Sequence, residues 1–252
     1  MGNPKNRVFR KNPVFENLET LSQYAADLFV RVARDAVARR GRFLAALSGG
    51  GTPQRLYELL AQLPRLAQIP WAQTHFFWAD ERCVPPDADG SNYRQVREAI
   101  LIHAPVPPAN VHRVSGELSP PAAAAEYAQQ LATFAAAGLN YPRFDLVLLG
   151  MGGDGHTASL FPGFDRGAAD ASPTLAVTAH YEGRPADRVT LTPPVLNAAR
   201  QVVFLVAGAE KAVALARVWR GDGAEMPASL IQPHDGQLTW LVDAAAASGV
   251  KN

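Results

Sequence analysis

The chain has 252 residues, of which 24 are basic and 23 acidic, so its formal net charge is +1. The balanced charge and the 48% content of apolar residues exclude a disordered chain and a nucleic-acid-binding protein that depends on bulk positive charge. No apolar stretch approaches the roughly 20 residues of a membrane-spanning helix, so no membrane partner is expected.

Two kinds of apolar spacing alternate along the chain. Helical spacing predicts helices over residues 18–39, 53–62, 92–102, 122–137 and 210–219. Short apolar runs predict strands over residues 43–47, 74–78, 144–149, 175–178, 189–192, 202–206 and 238–242. This alternation predicts an α/β fold, a three-layer αβα sandwich whose mainly parallel, Rossmann-like sheet has helices on both faces. We expect one domain over residues 1–252, with a flexible N-terminus at residues 1–13.

The single cysteine, Cys83, cannot form an internal disulfide. Residues 1–13 are polar and basic, without the apolar core of a secretory signal. Both features predict a cytoplasmic location. Cys83 itself is interpreted as a packing residue rather than a nucleophile.

The first candidate site follows the strand at residues 43–47. Ser48, Gly49, Gly50, Gly51 and Thr52 form a glycine-rich turn that leads into a helix. Free backbone N–H groups and the helix dipole at such a turn favour an anion, and the two hydroxyls can donate to it. The alternative is an ordinary glycine-rich turn, and the pattern matches neither the dinucleotide fingerprint nor the Walker motif.

Charged residues follow the strand at residues 74–78. Asp80 and Arg82 are separated by one residue and could face the same side. The planar guanidinium of Arg82 suits a phosphate or a carboxylate. The alternative is a surface ion pair.

The most informative strand end follows residues 144–149. Four glycines there, including Gly153, surround Asp154 and His156. Histidine is the side chain best suited to general-base catalysis near neutral pH, and Asp154 could orient its ring. The alternative is a histidine that only hydrogen-bonds the backbone of a turn. No cluster of Cys and His residues indicates a metal site.

The last strand end carries Lys211, the only one of the four lysines that lies away from the termini. It is predicted in the first turn of a helix, where a cation is unfavourable unless an anion binds nearby. Arg188, just before the strand at residues 189–192, is a similar but weaker candidate. The alternative for Lys211 is an exposed helix lysine.

Taken together, these segments resemble the 6-phosphogluconolactonase family over nearly the whole chain. The most specific matches lie at residues 80–85, 90–93, 150–162, 188–192, 208–212 and 227–229. Each segment is weak alone, but their number and order make the resemblance strong.

The resemblance implies a fold of the same kind as glucosamine-6-phosphate deaminase and hydrolysis of 6-phospho-D-glucono-1,5-lactone to 6-phosphogluconate. It implies that His156 is the base and that Asp154 and Asp80 orient it or bind sugar hydroxyls. The sequence does not identify the oxyanion donors, for which amides near Gly152 and Gly153 are candidates. The resemblance further implies that the turn at residues 48–52 binds phosphate together with Arg82, Arg188 and Lys211. No metal or nucleotide cofactor is expected. A sugar phosphate lactone is the expected partner, and a monomer is expected, with a weak homodimer as the alternative.

Two other functions are alternatives to lactone hydrolysis. Aminosugar-phosphate deaminases share the Asp-Gly-His segment but continue with Asn-Glu-Pro-Gly, whereas this chain has Leu160, Phe161, Pro162 and Gly163. The missing glutamate argues against deamination. A non-catalytic sugar-phosphate sensor would usually carry a DNA-binding module, and residues 1–16 are too short for one.

Overall fold

The computed structural model describes residues 13–180, 183 and 185–250. The flexible N-terminus predicted for residues 1–13 therefore falls almost entirely outside the described residues. Within these described residues, the ten strands are β1 (Val14–Phe15), β2 (Phe43–Leu47), β3 (Thr74–Trp78), β4 (Asp80–Arg82), β5 (Val111–His112), β6 (Leu146–Gly150), β7 (Thr174–Thr178), β8 (Asp187–Leu191), β9 (Gln201–Val206) and β10 (Gln237–Asp243).

The α-helices are α1 (Leu18–Arg40), α2 (Gly51–Leu60), α3 (Arg65–Gln68), α4 (Asn92–Val96), α5 (Pro120–Ala132), α6 (Arg166–Ala171), α7 (Pro193–Asn197), α8 (Ala212–Arg220) and α9 (Ala244–Ala247). A π-helical turn follows α4 at Arg97–Leu101. Short 3₁₀ turns lie at Trp71–Gln73, Pro108–Asn110, Ala209–Lys211 and Pro227–Leu230. Among the described residues, no helix is long and apolar enough to cross a membrane.

The longest described helix, α1, is capped at both ends. Asn17 caps its N-terminus, and the Asn17 side chain accepts from the Thr20 amide while Thr20 pairs back with the Asn17 backbone. Gly41 ends the helix in the left-handed conformation, which glycine adopts without steric cost. Apolar residues on one face, from Leu21 to Ala36, are buried against the sheet.

The central sheet contains seven strands in the order β1-β10-β9-β6-β2-β3-β5, and every pairing in it is parallel. All five residues of β2 and nearly all of β6 and β9 are buried, so both faces of the sheet are covered. The predicted α/β fold with a mainly parallel sheet is confirmed.

A second, three-stranded sheet has the order β4-β8-β7 and is antiparallel. The strands predicted at residues 175–178 and 189–192 exist, but they lie in this sheet and not in the parallel one. Asp80 and Arg82, expected to follow a strand, form a strand of their own. Apolar spacing alone could not distinguish the two sheets, because both bury one or both faces of their strands.

The predicted helices at residues 92–102 and 122–137 differ most from the structure. The helix expected over residues 92–102 is α-helical only at Asn92–Val96 and then continues as a π-helical turn. The helix expected over residues 122–137 begins two residues earlier, with prolines in its first turn, and ends at Ala132. Proline suits the first turn because the amide it lacks would have no partner there.

Candidate active site

The strand ends singled out in the sequence meet at one cavity. β9, β6 and β2 are neighbours in the parallel sheet, so their carboxyl ends lie side by side. The cavity, of about 150 Å³, is lined by Ser48, Gly49, Gly50, Gly51, Thr52, Pro53, Asp80, Arg82, Asn92, Gly150, Met151, Gly152, His156, Ala158, Arg188 and Lys211. Every site residue predicted from the sequence is in this lining except Gly153 and Asp154.

The glycine-rich turn after β2 is held from two sides. The Ser48 hydroxyl donates to the carbonyl of Leu148 at 2.8 Å, and the Ser48 carbonyl accepts from the hydroxyl of buried Tyr57 at 2.6 Å. The Ser48 hydroxyl, expected to contact phosphate, is thus engaged with β6. Gly50 precedes α2 without a side-chain capping hydrogen bond, and the first residues of this helix, Gly51, Thr52 and Pro53, line the cavity.

The side chain of Gln95 clamps this turn, a contact that the sequence did not predict. The Gln95 side chain accepts from the Gly50 amide at 2.9 Å and donates to the Gly50 carbonyl at 2.6 Å. Gly50 has φ of +98°, which explains the glycine. Because Gln95 lies on a helix 45 residues further along the chain, no local sequence signal indicated this contact.

Glu81 organises the helix that supplies the clamp. Its carboxylate accepts from the backbone amides of Arg82, Asn92 and Tyr93 at 2.6–2.7 Å and from the Ser91 hydroxyl at 3.2 Å. Burial raises the pKa of Glu81 to about 7, and the three backbone donors oppose that rise. Glu81 therefore ties the start of α4 to β4 and is not itself in the cavity lining.

Asn92 lies between β4 and the glycine-rich turn and packs against that turn. Its amide nitrogen donates to the Asp80 carbonyl at 2.8 Å. A Cβ atom on Gly49 would lie 1.8 Å from Asn92 Oδ1, so only glycine fits at position 49.

Asp80 is 6% exposed and lies on the cavity wall. Its Oδ2 accepts from the Ser159 hydroxyl at 2.7 Å, and the Ser159 amide donates to Thr190 Oγ1 at 3.2 Å. Asp80 is thereby joined to the segment that carries His156 and to β8. Ser159 had no role in the sequence prediction.

His156 and Asp154 are in direct contact. His156 Nδ1 lies 2.6 Å from Asp154 Oδ1, and the same oxygen accepts from the His156 backbone amide at 3.0 Å. With a carboxylate as its neighbour, Nδ1 is the protonated nitrogen and Nε2 carries the lone pair of the neutral ring. The orientation predicted for Asp154 is present in the structure, although Asp154 is not itself in the cavity lining.

The loop around His156 closes on itself. The Gly152 amide donates to the His156 carbonyl at 2.8 Å, and the Gly155 amide donates to the Gly152 carbonyl at 3.0 Å. The Gly152 amide, one of the candidate oxyanion donors, is therefore already engaged by the His156 carbonyl in this structure. The Gly153 amide remains a candidate donor, although Gly153 is outside the cavity lining.

Two arginines face each other across the antiparallel sheet. Arg82 on β4 and Arg188 on β8 are direct cross-strand partners, and both line the cavity. Arg82 donates to the Gly90 carbonyl at 2.6 Å. Arg188 is 4% exposed and lies over the ring of Phe161 at 5.6 Å, and Phe161 in turn packs against His156 with 4.8 Å between ring centroids.

Lys211 completes the cationic side of the cavity. It is the last residue of the 3₁₀ turn and immediately precedes α8. Its Nζ lies 3.9 Å from Glu210 Oε1, a long contact with an exposed carboxylate. The sequence predicts Lys211 in the first turn of a helix, and the residue lies in the 3₁₀ turn that leads directly into α8, at the wall of the cavity.

Among the described residues, no group of three or more His, Cys, Asp and Glu side chains is arranged to hold a metal ion. The free thiol of Cys83 is partly buried, and burial raises its pKa to about 11. A thiol with this pKa is a poor nucleophile at neutral pH.

Comparison with known proteins identifies a matching family and similar chains. Residues 16–240 match the family described as glucosamine-6-phosphate isomerases/6-phosphogluconolactonase. A 6-phosphogluconolactonase of Nostoc sp. is 43% identical over 227 residues, covering 88% of this chain and 90% of the relative. The solved 6-phosphogluconolactonase from Trypanosoma cruzi is 29% identical, with a TM-score of 0.83, covering 95% of this chain and 96% of that one.

A solved monomeric glucosamine-6-phosphate deaminase shares the fold as well. Its TM-score is 0.79 at 22% identity, and the match covers 94% of this chain and 98% of the deaminase.

Proposed function

The chain belongs to the family of glucosamine-6-phosphate isomerases and 6-phosphogluconolactonases, and we propose that its cavity opens 6-phospho-D-glucono-1,5-lactone with His156 as the general base. The chain is a lactone hydrolase of the 6-phosphogluconolactonase type, an enzyme of the pentose phosphate pathway. The observation that carries the mechanism is the 2.6 Å contact between His156 Nδ1 and Asp154 Oδ1.

The substrate phosphate binds at the cationic side of the cavity. Arg82, Arg188 and Lys211 line it, together with the first residues of α2, Gly51 and Thr52. Charge-assisted hydrogen bonds to phosphate each contribute about 1.5–3 kcal/mol. Two arginines held opposite each other repel, and a bound phosphate removes that repulsion.

Water attack follows at the lactone carbonyl. His156 Nε2 takes a proton from the attacking water while the water oxygen forms a bond to C1 of the lactone. This step gives a tetrahedral oxyanion and a positively charged imidazolium. The Asp154 carboxylate stabilises the positive ring at Nδ1. The oxyanion needs hydrogen-bond donors, and the Gly153 amide is our candidate.

Collapse of the intermediate completes the reaction. The bond between C1 and the ring oxygen breaks, and that oxygen takes the proton from His156 Nε2. The product is 6-phosphogluconic acid, which ionises and releases one proton, and the ring returns to its neutral form. Asp80, fixed by Ser159, is proposed to accept a hydrogen bond from a sugar hydroxyl.

Deamination is not supported by the residues after His156. Leu160 is fully buried, and Phe161 packs against the imidazole. The position where the deaminase pattern has a glutamate therefore presents an apolar surface, and the carboxylate that would assist ring opening is missing from this segment.

The function is tested by two assays on the same preparation. Acid release from freshly prepared 6-phosphogluconolactone is followed with spontaneous hydrolysis subtracted, and ammonia release is measured from glucosamine-6-phosphate. We expect catalysed acid release and no ammonia. Catalysed ammonia release without lactone hydrolysis would overturn the proposal.

We also propose that the enzyme acts as a cytoplasmic monomer. The cavity lining contains the proposed base and phosphate-binding residues within one chain, so catalysis requires no residue from a second copy. Light scattering coupled to gel filtration tests this, and a mass near twice 27.0 kDa at assay concentrations would contradict it.

A further inference from the structure

A second cationic cavity lies at the opposite end of the same three strands. Arg42 immediately precedes β2, Arg200 immediately precedes β9, and Arg143 lies three residues before β6. With Arg40 from the end of α1, they line a cavity of about 390 Å³, which we call the amino-end arginine pocket. Strands of five residues rise about 16 Å, so this pocket is well separated from the candidate active site.

The pocket contains four guanidinium groups and one carboxylate. Among the residues that the structure describes, Asp145 is the only acidic one in the lining, and it is 4% exposed. Its Oδ1 accepts from Arg40 Nε at 2.8 Å and lies 3.4 Å from Arg200 Nε, while its Oδ2 accepts from the Leu44 amide. One carboxylate therefore leaves three positive charges uncompensated within the lining.

The remaining arginines have neutral partners. Arg143 donates to the carbonyls of Ala198 and Asp235 at 3.1 and 2.9 Å. Arg42 lies over the ring of Phe134 at 5.7 Å from its centroid. Neither contact offsets a charge.

The Arg200 side chain is incompletely paired in this pocket. Its Nε atom is buried and makes no hydrogen bond to the described residues. Its pKa is lowered by burial first and then by the charges of Arg40 and Arg143. Guanidinium groups that repel one another around a cavity are stabilised when an anion binds between them.

We propose that the amino-end arginine pocket binds a small anion that carries two or more phosphate groups. Arg42, Arg143 and Arg200 lie shortly before three adjacent strands of the sheet. The spacing between those strands separates the backbones of the outer two arginines by about 10 Å. That spread and the excess of three charges suit a polyphosphate better than a single phosphate. Phe134 and Leu44 add apolar surface beside the guanidinium groups.

The probe is inorganic pyrophosphate, titrated calorimetrically at constant ionic strength. Saturating 6-phosphogluconate is present so that the active site is filled, and its own binding is measured separately. We expect one pyrophosphate to bind per chain. R200Q should weaken this binding by about 10-fold or more, as for the loss of a charged hydrogen bond.

R39Q is the matched control. Arg39 lies beside Arg40 in the last turn of α1 but is not part of the pocket lining. This variant should change the affinity by less than about 2-fold. R42Q provides a second pocket variant that does not touch Asp145, should R200Q fail to fold. Both pocket variants should keep lactone hydrolysis, since neither residue is in the active site.

Two results would overturn the proposal. One is the absence of pyrophosphate binding to the wild-type protein when 6-phosphogluconate is bound. The other is equal weakening by R39Q and R200Q, which would indicate diffuse attraction to a basic surface. Failure of 6-phosphogluconate to bind would instead count against the proposed function.

Discussion

Arg82 and Arg188 lie directly opposite each other across the β4–β8 pair, with both side chains at the wall of the same cavity. Like charges at opposed positions of an antiparallel pair destabilise the sheet. An anion bound between the two guanidinium groups would offset this repulsion, which is the physical argument for the proposed phosphate site.

Removing a phosphate-binding cation should weaken product binding. We expect R82A or K211A to reduce the affinity for 6-phosphogluconate by about 10- to 150-fold, equivalent to about 1.5–3 kcal/mol. Calorimetric titration measures this. R113A, which removes an arginine paired with Glu117 on the surface, is the control and should bind normally. Unchanged affinity in R82A would remove Arg82 from the phosphate site.

Loss of the proposed base should lower turnover without unfolding the protein. We expect H156A to reduce kcat for lactone hydrolysis by about 10²–10⁴-fold, the contribution of a general base. Background-corrected acid release measures it. H103A replaces an exposed histidine and should leave kcat unchanged. Wild-type turnover in H156A would refute the mechanism.

Asp154 should act through His156. In D154N the neutral amide cannot stabilise an imidazolium, and its NH₂ group can favour the wrong tautomer of the ring. We expect kcat to fall by at least about 10-fold with little change in KM.

The double variant tests this coupling. Because the two side chains act as a unit, D154N should cause little further loss in an H156A background. Additive losses would show that Asp154 acts independently of the ring. D165N, which alters the capping carboxylate of α6, serves as the control.

A methyl group at position 152 should displace the base. A Cβ atom on Gly152 would lie 2.1 Å from His156 Nδ1 and 2.5 Å from Asp154 Oδ1, so both side chains must move. Misplacement of a catalytic group by about 1 Å can cost about 10²-fold in rate, and we expect G152A to lose kcat on that scale. G167A, whose Cβ meets only an ordinary contact, should behave as wild type.

Acid should destabilise the fold through His112. Burial, followed by the neighbouring His75, lowers the pKa of His112 to about 4 from an ordinary 6.5. The folded state therefore binds fewer protons than the unfolded state between about pH 6.5 and 4. The stability is present above this range and is lost as the pH falls through it.

At about 1.4 kcal/mol per pKa unit, the effect on the free energy of unfolding is on the order of 3 kcal/mol. Urea unfolding at pH 7.5 and 4.5 measures it. H112Q, which does not titrate, should lose less stability over this interval than the wild type. The same loss in both proteins would assign the acid sensitivity to other groups.

The sequence by itself indicated which segments meet at the candidate active site. Apolar spacing indicated the strands, and glycine-rich or charged residues followed four of them. These were Ser48 to Thr52, Asp80 with Arg82, Asp154 with His156, and Lys211. Because parallel strands place their carboxyl ends at one edge of a sheet, these segments could be expected to meet. The structure brings them together at the carboxyl ends of β2, β6 and β9.

Only the tertiary structure decided the contacts between residues far apart in the chain. Arg188 faces Arg82 because β4 and β8 form a separate antiparallel sheet, and Gln95 holds Gly50 across 45 residues. The engagement of the Gly152 amide by the His156 carbonyl likewise depends on the closed loop. Periodicity reports which face of an element is buried, but the register and packing of distant elements determine which side chains and amides meet.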